Sequence, residues 1–155
     1  MTSGVTQERP IEIRILGRDD ASMIERAAGE VFDHAVDPRL TTEFLSDARH
    51  HLAVAIEDGH IVGMASGVHY VHPDKAPELW INEVGVAATH RNRGLGRRVV
   101  ACLLAHGRAL GCHEAWVLTD MENVPARRMY GAAGGVEKGQ QLLVEFDLAS
   151  GAEGT

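Results

Sequence analysis

Several things are scarce in this 155-residue chain, and each scarcity narrows what it can do. No apolar run reaches the ~18 residues that a bilayer-spanning helix needs. The opening stretch, MTSGVTQERP, lacks the apolar core of a secretion signal. The two cysteines, Cys102 and Cys112, are too few for a disulfide framework. No Cys/His spacing resembles a zinc site. Neither cysteine has an evident activating partner, so both are expected to pack as small apolar residues. The expectation is a cytoplasmic protein of a reducing compartment, with no membrane span and no metal. Positive charge is also scarce: 15 Lys and Arg stand against 22 Asp and Glu, a net charge of −7. That balance disfavours a nucleic-acid partner. What is present, 45% hydrophobic and 24% charged residues, is ordinary globular composition. The length suits one domain with a real core.

Periodicity divides the chain into alternating elements. Ile11, Ile13 and Ile15 alternate with Glu12 and Arg14, which predicts a half-buried strand. Asp19 or Asp20 can cap a helix over 20–33, where Met23, Ile24, Ala27, Ala28, Val31 and Phe32 recur at helical spacing. Residues 34–40 read as a loop containing Pro38, and Thr41 or Thr42 can cap a short second helix carrying Phe44, Leu45 and Ala48. Strands follow at 52–56 and 61–71, joined by the hairpin signal Asp58-Gly59. Another strand is predicted over 79–86. A helix over 94–110 then carries Leu95, Val99, Val100, Leu103 and Leu104 on one face and is closed by Gly111. A strand at 114–119 precedes a helix capped by Asn123, with Pro125 near its start and Gly134-Gly135 near its end. A last strand is predicted over 140–148. This is one α/β (α+β) domain over 11–148, in the order β-α-α-β-β-β-α-β-α-β, with flexible ends at 1–10 and 149–155.

The segment from Val84 to Arg98 carries the most chemical information. It reads as a strand, a turn and a glycine-bearing entry into an amphipathic helix. Such an entry leaves several backbone N–H groups unpaired and pointing one way, at the positive end of the helix dipole. It is a natural phosphate site, and glycine allows a ligand close to the backbone. Arg91, Arg93, Arg97 and Arg98 crowd into this short stretch of an otherwise acidic chain, which points to a discrete polyanionic ligand. For Arg97 and Arg98, the solvated side of a helix is an equal alternative. No G-x-x-x-x-G-K-[ST] is present, and Gly94-Leu95-Gly96 lacks the third glycine of a dinucleotide fingerprint.

The pattern R-x-x-G-x-G at Arg91, Gly94 and Gly96 follows a strand reading Glu83-Val84-Gly85-Val86. It resembles the acetyl-CoA motif of the GNAT superfamily of N-acetyltransferases. Asn123 followed by Tyr130 in NVPARRMYGAAGG resembles the second motif of that superfamily. The resemblance covers 11–148 and implies the GNAT fold: a central mixed, mostly antiparallel sheet with helices on both faces. Within the superfamily, the chain is most similar to the gentamicin-type aminoglycoside 3-N-acetyltransferases. Relevant features are the acidic loop after the first helix, Glu83, Asp120 and the closing VEFDL. The implied reaction is direct acetyl transfer from acetyl-CoA, in a ternary complex, to the 3-amino group of an aminoglycoside. Another amine (a polyamine, an amino sugar, a protein N-terminus) and a silent acyl-CoA-binding module are the alternatives. The superfamily often forms dimers, which leaves a homodimer open without assigning a surface to it.

Acetyl transfer to an amine needs a neutral nucleophile, a stabilised oxyanion and a proton for the thiolate. Glu83, a carboxyl in the apolar strand LWINEVGV, is the candidate general base, because burial would raise its pKa. The resemblance assigns Val84, Gly85 and Val86 to the pantetheine arm through their backbone. It assigns Arg91, Asn92, Arg93, Gly94, Leu95, Gly96 and Arg97 to the pyrophosphate. Asn123 serves as a helix cap or a cofactor contact. Tyr130 is the candidate acid and also lines the cofactor site. A free phenol lies roughly 1.5 pK units above a free thiol, so unaided proton transfer is uphill by ~2 kcal/mol unless the site lowers the tyrosine. Asp33, Asp37, Asp120, Glu122, Glu145 and Asp147 are the acidic candidates for drawing in a cationic amine. The nine histidines, with close groups only at His50-His51 and His69/His72, read as surface or loop residues.

Overall fold

A computed structural model describes residues 8–149, and the expected flexible ends fall mostly outside them. Five strands form one sheet in the order β1-β2-β3-β4-β5. They are β1 (Glu12–Ile15), β2 (His50–Glu57), β3 (His60–Tyr70), β4 (Glu78–Val86) and β5 (Glu114–Val117). β1 to β4 pair antiparallel, and β5 joins β4 in parallel. The helices are α1 (Ala21–Glu25), α2 (Pro38–Ser46), α3 (Leu95–Ala109) and α4 (Val124–Ala132).

The central strands are buried on both faces, as Ala53 to Ile56 and Ile61 to Ala65 show. The hairpin between them turns through Asp58 (φ 50°) and Gly59 (φ 75°), two left-handed residues that match the twist of the flanking strands. α3 covers one face. Leu95, Val99, Val100 and Leu103 are its buried stripe, each worth roughly 1.5–3 kcal/mol of apolar burial. The approach is close: a Cβ on Gly67 of β3 would lie 3.2 Å from Leu103, and one on Gly107 would lie 2.9 Å from Leu79 of β4.

The other face is met by the segment 26–36. The expected helix over 20–33 stops at Glu25, after a short 3-10 turn (Arg18–Asp20). Asp20 accepts from the Gly17 N–H and from Arg14. Beyond Glu25, tertiary contacts override helical spacing. The Ala28 N–H bonds to the Ile61 carbonyl of β3 at 2.9 Å, and Glu30 takes φ 66°. The helix α2 begins earlier than expected, at Pro38. Asp37 caps it by accepting from the Arg39 and Leu40 N–H groups, so Thr41 lies inside the helix and is buried. Asp37 is thus committed to the backbone. The strand expected at 140–148 does not form. Leu142, Phe146 and Leu148 are exposed there, and none of the described residues pairs with the outer edge of β5.

Candidate active site

The start of α3 is an open set of donors. Asn92 (φ 61°) and Gly94 (φ 75°) turn the chain through the left-handed region just before the helix. No side chain caps the first turn, so the N–H groups of Leu95, Gly96 and Arg97 have no helical or capping partner. Gly94 is needed for its conformation. A Cβ on Gly96 would meet Met129 and Val86 only at ordinary distances of 3.7 and 3.8 Å, so the fold itself does not demand that glycine.

From this turn a groove of about 1270 Å³ runs along β4. That is larger than the ~300–1,000 Å³ of an ordinary small-molecule pocket. Its floor exists because β4 outruns its partner. β4 pairs with β5 only from Glu78 to Ile81, opposite Glu114 to Val117, yet β4 continues to Val86. On the β5 side, the backbone edge of Val84, Gly85 and Val86 therefore faces the groove with no strand paired to it among the described residues, while β3 pairs with its other edge. A long ligand with an anionic head and an amide-bearing arm fits these two features together: the head on the uncapped turn, the arm along the bare strand edge.

Glu83 stands where the bare edge begins. Its carboxyl is pushed up from its ordinary value, mainly by burial. The Asp33 N–H donates to it and pulls the other way, whereas the Asp33 carboxyl raises it further and His34 lowers it. A raised carboxyl is a better base near neutral pH. Asp33 comes close because the segment 26–36 seats against Gly85, where a Cβ would lie only 2.0 Å from the Val31 carbonyl oxygen. Tyr130, near the end of α4, lines the same groove, and burial raises its phenol rather than lowering it. Transfer from phenol to thiolate is thus steeper than the free-solution difference, but the phenol remains a protonated donor throughout the neutral range.

The groove gathers Glu83, Val84, Gly85, Val86, Arg91, Asn92, Gly94, Leu95, Gly96, Arg97, Asn123 and Tyr130, with Asp33 and Asp120 on the acidic side. Arg93, Glu122 and Asp147 are not among its lining. The Asn123 side-chain Oδ1 caps α4 by accepting from the Ala126 N–H at 3.2 Å. The Arg91 guanidinium reaches Glu30 at 3.3 Å, a partner that sequence reading did not suggest. His90, also unforeseen, lines the groove and contacts Glu57 at 2.6 Å.

The histidines are not all surface residues. His51 is buried and links two others: its Nε2 is 2.7 Å from His69 Nδ1, and its Nδ1 is 3.0 Å from His106 Nε2. Burial and the neighbouring imidazoles lower the His51 pKa to about 4. No group among the described residues has the arrangement of a metal site. Burial raises the thiols of Cys102 and Cys112. No helix among the described residues is long and apolar enough to cross a membrane.

The model of the acetyltransferase (GNAT) family matches residues 19–134. Over 77 residues the chain is 31% identical to the L-2,4-diaminobutyric acid acetyltransferase of Virgibacillus pantothenticus, covering 50% of this chain and 47% of that protein. The match thus spans about half the length of that relative. An aminoglycoside acetyltransferase from an uncultured soil metagenomic sample, solved with sisomicin, superposes with a TM-score of 0.78 at 15% identity, over 89% of this chain and 96% of that one. The aminoglycoside N-acetyltransferase AAC(6')-Iy, solved with CoA, gives a TM-score of 0.73 at 20% identity, over 92% and 98%.

Proposed function

The chain belongs to the acetyltransferase (GNAT) family, whose members use acetyl-CoA, and on that premise we propose that it acetylates an amine of a small cationic acceptor. The acceptor we favour is an aminoglycoside, taken at its 3-amino group. The observation that carries this reading is the continuity of one groove. An uncapped helix start, a bare strand edge and a raised carboxyl follow one another along it, with a phenol among its lining.

The bound cofactor supplies an activated acetyl group as a thioester. The first-turn N–H groups of α3, with Arg91 and Arg97, hold its pyrophosphate. The backbone of Val84 to Val86 aligns its arm as an added strand would, and an N–H of this stretch polarises the thioester carbonyl. Glu83 takes a proton from the acceptor ammonium, directly or through a water. Tyr130 returns a proton to the departing sulfur. Asp33 and Asp120 hold positive charge on the acceptor. No cysteine lines the groove, in keeping with direct transfer in a ternary complex.

The partial match to a diaminobutyrate acetyltransferase supports a second reading, in which the acceptor is a short diamino acid. Thiol-release kinetics with acetyl-CoA against kanamycin, gentamicin and 2,4-diaminobutyrate, with mass spectrometry of the product, separates the two. Glu83→Gln should lower kcat by about 10²–10⁴-fold, the usual contribution of a general base. Its affinity for acetyl-CoA should hold, and the loss should ease as pH rises and more of the amine is already neutral. An unchanged rate at neutral pH would remove Glu83 from the mechanism.

A further inference from the structure

We propose that the stacked pair Trp80–Trp116, which lies outside the lining of the groove, is a remote acceptor subsite, where a second ring or cationic arm rests while the reacting amine sits at Glu83. The proposal builds on the acetyl-transfer reading above.

The two indoles lie 5.2 Å apart between centroids at 10° between planes, yet Trp80 is 39% and Trp116 is 37% exposed. Large aromatic surfaces left open in this way are costly to hydrate and are common at recognition sites. The pair is also held in place: the Trp116 indole N–H donates to the Tyr70 hydroxyl at 2.7 Å.

A bulge puts this pair on the face that carries the candidate base. Ser66 of β3 stands opposite Glu83, and the next residue, Gly67, stands opposite Ile81. Asn82 is therefore the extra residue on β4. Without it, Trp80 and Glu83, three positions apart, would project to opposite faces. With it, Glu83 shares a face with Trp80, opposite Val68, and with Trp116 of β5. The other face, that of Gly67 and Ile81, belongs to α3. On the shared face, the segment 26–36 seats against Gly85 and reaches Glu83 through Asp33, and Trp80 lies two ladder positions further along the strand. Across the bulge, Glu83 and Trp80 stand opposite Ser66 and Val68, two residues of strand apart, about 7 Å.

Charge selects the occupant. Glu83 and Asp33 mark one end of this span, and Glu78 and Glu114, paired across β4 and β5 on the same face, mark the other. Glu78 already holds His72 and Lys75 at 2.6 and 2.9 Å. An aromatic surface between carboxylates suits an ammonium over an indole face and the apolar side of a ring against it. The occupant is thus the distal part of a polycationic acceptor that reaches at least about 7 Å from its reacting amine. A short diamino acid with its amine at Glu83 would not reach.

The sequence contains two tryptophans, and both are in this pair, so intrinsic fluorescence reports on the platform alone. Titration of the full chain with kanamycin should change that emission saturably, whereas 2,4-diaminobutyrate should not. Trp80→Leu and Trp116→Leu should each raise the KM for kanamycin about five- to thirtyfold, the range of a stacked or cation–π contact. They should lower kcat less than threefold and leave the KM for acetyl-CoA unchanged, with Trp116→Phe restoring most of the loss. If Trp116→Leu does not fold, Trp80→Leu and Trp116→Phe carry the test. An unchanged KM in folded variants would overturn the subsite while leaving acetyl transfer intact. So would an emission change that follows self-association in sedimentation rather than acceptor concentration. If no amine is acetylated, the functional reading fails, and the kanamycin titration still decides the platform.

Discussion

Lowering the pH should unfold this protein earlier than its carboxylates alone require, because of His51. This ring is 6% exposed, sits between His69 and His106, and has a pKa lowered to about 4 from the 6.5 of a free histidine. Desolvation is the main cause, followed by the imidazoles of His106, His69 and His50, with Asp47 opposing. The unfolded chain takes up a proton at His51 near pH 6.5, and the folded chain resists until about pH 4. The stabilising difference is therefore present above pH 6.5 and is lost as pH falls through that window. Linkage puts the loss at about 2 kcal/mol between pH 7.5 and pH 5, and about 3 kcal/mol by pH 4. Urea unfolding at a series of pH values measures it directly. His51→Leu leaves His69 and His106 short of a partner and lowers stability at pH 7.5, but it should flatten the slope between pH 6.5 and 5. If wild type and variant lose the same stability across that interval, to within about 0.5 kcal/mol, His51 is not the buried titrating group.

Two glycine substitutions separate fold from function. Gly85→Ala would drive a Cβ to 2.0 Å from the Val31 carbonyl oxygen, so either β4 or the segment 26–36 must move. Overpacking of this kind costs about 1–3 kcal/mol; a melting point within 1 °C of wild type would show that the contact is not tight. Gly96→Ala meets nothing closer than 3.7 Å and replaces glycine within a helix, so thermal stability should hold or rise by up to about 1 kcal/mol. If a ligand approaches that backbone, affinity for coenzyme A should nonetheless fall, as isothermal titration would read.

Much of this arrangement is legible from residue patterns. Alternation finds β1, the Asp58-Gly59 turn signal brackets β2 and β3, the stripe from Leu95 to Leu103 finds α3, and R-x-x-G-x-G marks the anion cradle. Other features depend on contacts between distant segments. The apolar spacing of Ala27, Ala28 and Val31 is helical, but the Ala28 N–H is taken by Ile61 and Val31 by Gly85, so the helix ends early. Alternation over 144–148 is real, yet pairing needs a neighbour that local sequence does not name. Pro38 read as a loop breaker, although proline just after an acidic cap is a helix-start signal, and this one could have been found. The Asn82 bulge has no sequence mark, so the shared face of Trp80 and Glu83 was hidden. The His51–His69–His106 chain joins two strands and a helix that only the fold brings together.

Titration of coenzyme A into the purified protein by calorimetry is the most direct measurement. If the first turn of α3 and the bare edge of β4 form the donor site, one equivalent should bind, and raising the salt should weaken it by screening the arginines around the pyrophosphate. Absence of binding at millimolar coenzyme A would contradict that assignment and the acetyl-transfer chemistry derived from it.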